Sequence, residues 1–118
     1  MKLPNHEKAF VPREKIVDYL LSPFHRDGRS KAAFFKRFGF TAELWQILAE
    51  ALKKHALEND VSKMENTPFG IRYVIEGELE TPVGSKTKVL VVWFIETRTE
   101  VPRLATAYPS KEGKQGNV

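Results

Sequence analysis

Apolar residues follow two regimes along this chain. Up to about residue 59 they recur every three or four positions, and beyond residue 60 they alternate with polar ones. A change of period from about 3.6 to 2 marks the passage from helices to strands. Residues 1–11 read as extended, with Pro4 and Pro12 against helix and Phe10-Val11 as a small apolar anchor. Ile16, Val17, Leu20 and Leu21 then predict a short helix, with Pro12 at its first position and Pro23 as its stop. A loop over 22–29 leads to a second helix with Ser30 as N-cap, Ala32, Phe35 and Phe38 on one face, and Gly39 as the C-terminal stop. The helix restarts over Phe40–Trp45, with Thr41 as cap. Leu44, Ile47, Leu48, Ala51, Leu52 and His55 give it one apolar stripe, ending near Asn59.

In the second half, Val61–Glu65 predicts a strand and Thr67-Pro68-Phe69-Gly70 a turn. Ile71, Tyr73, Ile75, Gly77 and Leu79 alternate with Arg72, Val74, Glu76, Glu78 and Glu80, the pattern of a half-buried strand. Thr87–Glu96 is apolar on both faces, as a central strand is. Pro102–Tyr108 supplies a last strand, an edge open to pairing with a partner. Three helices followed by a meander of about four antiparallel strands predict an α+β fold, with the helices on one face of the sheet. A single domain over 1–109 and a flexible tail over 110–118 complete the expected organisation.

Composition narrows the chemistry. The 118 residues, 42% of them hydrophobic, suffice for one buried core. No cysteine is present, so disulfides, thiolate metal sites and cysteine nucleophiles are all excluded. No apolar run approaches the roughly 20 residues of a membrane span, and the N-terminus lacks a signal-peptide run. A cytoplasmic protein is expected, with no membrane partner. The net charge of +4 is compatible with a nucleic-acid partner. Phosphate-loop, dinucleotide, zinc-protease and EF-hand signatures are absent. The scattered acidic residues and three histidines offer no metal-ligand spacing, so neither metal nor other cofactor is expected.

Titratable side chains concentrate at Phe24–Gly39, where His25 precedes a helix start carrying Arg29 and Lys31. A histidine there can take or give a proton near neutral pH, and the helix start with its two cations suits a phosphate. Arg72 and Arg103 lie on predicted strands, and Thr106 and Tyr108 follow on the last one. Strand parity sets Arg72 and Tyr73 on opposite faces. His55 falls on an apolar stripe and reads as a packed residue; His6 receives no role. Histidine, lysine, arginine and tyrosine are the groups with which an enzyme cleaves RNA without a metal, by acid–base chemistry on the 2′-hydroxyl.

Several segments carry a family resemblance: Met1-Lys2-Leu3-Pro4-Asn5, Tyr19-Leu20-Leu21, the His25…Gly28…Lys31-Ala32…Phe35 series, Gly39-Phe40-Thr41, Phe69-Gly70 with Arg72-Tyr73, Val92-Trp93-Phe94-Ile95, and Pro102-Arg103-Leu104 with Thr106 and Tyr108. Over about residues 1–109 the chain resembles an uncharacterised family of small bacterial proteins, frequent in cyanobacteria. That family is related to C-terminal toxin domains of phage head-morphogenesis-like and polymorphic-toxin proteins. The resemblance implies a toxin paired with a small antitoxin-like protein. By fold-level analogy it also implies the architecture of the RelE and barnase ribonucleases.

The expected function is a toxin-type, metal-independent endoribonuclease. His25, Lys31, Arg72 and Tyr108 would be catalytic, with Arg29, Arg103 and Thr106 binding phosphate or RNA. The alternative is a non-enzymatic interaction module, one subunit of a two-gene system. A third is a nucleic-acid binder without catalysis, resting on the basic 24–39 segment.

Overall fold

Each strand of the sheet pairs with its neighbour in sequence, antiparallel throughout, in the order β1-β2-β3-β4. The strands are β1 (Val61–Thr67), β2 (Gly70–Glu80), β3 (Lys86–Glu96) and β4 (Arg103–Pro109). They follow a 3-10 turn at His6–Lys8, α1 (Arg13–Lys15), a π-helical turn (Ile16–Leu20), α2 (Arg29–Arg37) and α3 (Trp45–Glu58). This computed structural model describes residues 1–26 and 29–110. The architecture is α+β, with the helices ahead of the sheet.

The alternation along β2 and β3 decides which face the helices cover. Ile75, Leu79, Val89, Val91 and Trp93 are fully buried beneath Ile16, Leu20, Phe35, Phe40, Leu48 and Leu52. Leu104 and Ala107 of β4 complete that core. Val74 and Val92 are also buried but stand outside it, on the opposite face, where Arg72, Glu76 and Glu78 flank them by parity. Arg72 and Tyr73 therefore face opposite ways, Tyr73 into the core.

The helix stops have local causes. Gly39 sits at φ +96, its N–H donates to the Lys36 carbonyl at 3.0 Å, and the Phe40 N–H reaches back to Phe35 at 3.2 Å. That pair of bonds is a Schellman ending, and the Phe35 and Phe40 rings meet edge to face across it at 6.1 Å. Thr41 Oγ1 accepts the Leu44 N–H at 3.3 Å, so Thr41 caps a turn and the regular helix begins only at Trp45.

At its other end α3 lies directly on β2. His55 is buried with Nε2 3.1 Å from the Gly77 carbonyl oxygen, and Asn59 Nδ2 donates to the His55 carbonyl at 2.9 Å. A Cβ on Gly77 would stand 2.2 Å from Asn59 Oδ1, so glycine is what allows the helix to sit there.

Some boundaries differ from the sequence reading. Pro12 is the N-cap of α1 rather than its first residue, and Ser30 lies inside α2 rather than capping it. The N-terminal stretch contains a 3-10 turn and is anchored by Leu3 and Val11, while Phe10 is half exposed. The β4 edge is not wholly open. Phe10 forms a parallel bridge with Arg103, its N–H donating to Pro102 O at 2.8 Å and its carbonyl accepting from Leu104 at 3.0 Å. Ser110, assigned from sequence to the tail, is buried; its N–H donates to Lys88 O and its hydroxyl to Glu76. Residues 111–118, the rest of that expected tail, lie outside the described residues.

Candidate functional site

The chain leaves regular α-helix at Ile16. The Leu21 N–H bonds to the Ile16 carbonyl at 2.7 Å, five residues back, and this widened turn ends before Pro23. π turns break helical periodicity and are frequent at functional sites. This one sinks Ile16 and Leu20 into the core and leaves Tyr19 half-buried at its rim.

Tyr19 is the hub of the polar groups that follow. Its hydroxyl lies 3.0 Å from Thr106 Oγ1, and the His25 ring meets its ring edge-on at 4.8 Å. The ammonium groups of Lys15 and Lys31 stand 5.3 and 5.5 Å from its ring centre. The π turn, the loop and first turn of α2 that follow it, and the sequence-distant β4 thus converge on Tyr19.

A backbone irregularity aims Thr106. The β3–β4 register runs Val92 to Thr106 and then Trp93 to Leu104, leaving Ala105 unpaired as a bulge. Bulges re-aim side chains beside sites. Here the bulge sits between Leu104 in the core and the Thr106 hydroxyl on Tyr19.

Two clefts are lined by residues of these same segments. The first is lined by Pro12, Glu14, Lys15, Asp18, Tyr19, His25 and Arg103, and so mixes cations with two carboxylates. Arg103 also packs against Phe10, 5.3 Å from its ring centre. The second is lined by Ser30, Lys31, Phe34, Arg37, Tyr108 and Pro109.

The structure therefore brings His25, Lys31, Arg103, Thr106 and Tyr108 to one edge of the sheet. Arg72 stands apart from both clefts. It lies in one cross-strand row with Arg103, β3 between them, at a backbone separation of about 10 Å. Its guanidinium is bonded instead to Glu65 of β1. Arg29 opens α2, and its side chain lies outside the described residues. Tyr19 and Lys15, absent from the sequence reading of the site, had one signal there. They are four residues apart at the border of an apolar stripe, which sets a cation over a ring on a helix.

A base, flanking cations and hydroxyls within one edge can move a proton and steady a charged phosphate. Among the described residues, no group of three or more His, Asp or Glu side chains gathers as a metal cage. Nor is any helix among them long and apolar enough to cross a membrane.

Residues 2–111 match the model of a domain of unknown function, DUF6883. Among solved structures, the chain is similar to one from a contact-dependent growth inhibition toxin–immunity protein complex of Klebsiella pneumoniae 342. That likeness has a TM-score of 0.69 and 17% identity, and covers 90% of this chain and 97% of the other. At such identity it speaks for a shared fold. No curated protein matches.

Proposed function

We propose that this chain, which belongs to the DUF6883 family, is the toxin half of a toxin–immunity pair and cleaves RNA at the β4 edge. The observation that carries the reading is the convergence of His25, Lys31 and Thr106 on Tyr19. A partner protein that only binds needs no such gathering of proton-transfer and cationic groups.

His25 takes the proton of a ribose 2′-hydroxyl, whose oxygen attacks the adjacent phosphorus. The bond to the 5′-oxygen breaks, and the Tyr19 phenol returns a proton to that leaving oxygen, giving a 2′,3′-cyclic phosphate and a 5′-hydroxyl end. Lys31 and Arg103 stabilise the charge gathering on the phosphate, and Thr106 orients the phenol. Arg72 serves the fold in this scheme, through its pair with Glu65. The likeness to a toxin–immunity complex supports a cognate protein that covers the site.

The test is inducible expression of the wild type, His25→Ala and Lys31→Ala in a bacterial host, with growth and total RNA followed together. Arrest and RNA cleavage, lost in both variants at equal protein level and surviving EDTA in the purified protein, is the expected result. Normal growth with intact RNA, while a small partner co-purifies, would leave the chain as a binding module.

A further inference from the structure

The two clefts differ in charge. The first has Glu14 and Asp18 among its walls, whereas among the described residues no carboxylate lines the second. Its walls are two cations (Lys31, Arg37), the Ser30 hydroxyl, two aromatic rings (Phe34 and Tyr108, the latter with its own hydroxyl) and Pro109. Cations beside ring faces suit a nucleotide, whose phosphate meets the charge while its base stacks.

We propose that this second cleft is the subsite for the nucleotide next to the cleaved phosphate of a single-stranded RNA, with Arg37 on its phosphate and Tyr108 against its base. The proposal rests on the ribonuclease reading and names how its substrate is held. Lys31 supplies the continuity, because it lines this cleft and also stands over the ring of Tyr19. Tyr108 follows Thr106 by two residues on an extended strand, about 6.6 Å along β4, a displacement suited to the neighbouring base. Only an unstacked base can enter, so the substrate is single-stranded at this position.

The face of α2 that builds the cleft is set by helical spacing. Ser30, Phe34 and Arg37 recur at four and three residues, with Lys31 beside them, while Ala32 and Phe35 point to the core. Arg37 is exposed, so its replacement leaves the fold intact.

The experiment measures binding and cleavage separately with the full chain. Fluorescence anisotropy with 2′-O-methyl oligonucleotides of one to four nucleotides, which cannot be cleaved by 2′-hydroxyl attack, reads affinity. Affinity is expected to rise with length and to be lost on a duplex of the same sequence. Arg37→Ala and Tyr108→Leu should each weaken tetranucleotide binding about ten-fold, while Tyr108→Phe keeps it and a distant charge loss, Lys86→Ala, does not matter. Arg37→Ala should also reduce the salt slope by about one. Affinities of Arg37→Ala and Tyr108→Leu within two-fold of wild type overturn the proposal, as does equal binding of the duplex. Absence of any oligonucleotide binding overturns it too, and turns the cleft towards an acidic protein partner. Binding as expected with no cleavage of unmodified RNA supports the subsite and removes the ribonuclease reading alone.

Discussion

The phenol of Tyr19 and the hydroxyl of Thr106 meet at 3.0 Å, a contact between residues 87 apart in the chain. It ties the π turn to the last strand at the centre of the candidate site. Tyr19→Phe and Thr106→Val should each cost about 1 kcal/mol of stability, the usual net worth of one hydrogen bond. The double variant should cost little more than either alone, because one bond is lost in all three. Chemical denaturation of the four proteins measures this. In the same set, Tyr19→Phe should lower RNA cleavage about 100-fold or more, as removal of a general acid does.

Arg103 and Arg72 provide a contrast. They share a cross-strand row, yet only Arg103 lines a cleft, while Arg72 is bonded to Glu65. Arg103→Ala should reduce cleavage about 100-fold. Arg72→Ala should cost at most about 1 kcal/mol, the worth of a half-exposed ion pair, and leave the rate within ten-fold. An equal loss of rate in the two variants would place Arg72 on the substrate instead.

Burial lowers the pKa of His55, and its hydrogen bond to Gly77 only partly opposes that. The unfolded chain takes up a proton on this ring near the ordinary imidazole value of about 6.5, whereas the folded chain resists until the solution is more acid. The stability contributed by the neutral ring is complete above that value and declines as pH falls through it. Denaturation midpoints should therefore drop between pH 7 and pH 5. His55→Gln, which keeps a donor for Gly77 but does not titrate, should flatten that slope while lowering stability at neutral pH.

Gly77 should be intolerant of even one added carbon. Its Cβ would lie 2.2 Å from Asn59 Oδ1, and Asn59 holds the end of α3 through the His55 carbonyl. Gly77→Ala should destabilise by about 1–3 kcal/mol, the range for overpacking. Adding Asn59→Gly should recover part of the loss, visible as a partial return of the melting temperature.

The fold was largely legible because period is a strong signal. The switch near residue 60 separated helices from strands, and the two-sided apolar run ending at Glu96 announced a central strand. Gly39 marked a helix end because its backbone requires the left-handed region. Less legible was whatever depends on chain segments meeting. His25, Lys31, Arg103, Thr106 and Tyr108 could be named as polar residues worth watching, but nothing in the order of residues says that β4 stands beside α2. Tyr19 is not legible as a site residue, because the π turn that sets it at the rim has no simple sequence code. Arg72 looked equivalent to Arg103, since alternation reports the face of a strand and not which neighbour the side chain chooses. The Ala105 bulge likewise follows from pairing rather than from composition.

β4, made after β1–β3, is the strand that closes both clefts. On the ribosome the chain emerges from its N-terminus, so the helices and β1–β3 are exposed before β4. Until Arg103–Pro109 has emerged, Phe10 has no strand to bridge, Tyr19 has no Thr106, and each cleft lacks a wall. Any fragment that stops short of β4 therefore carries neither cleft in full, however well its helices form.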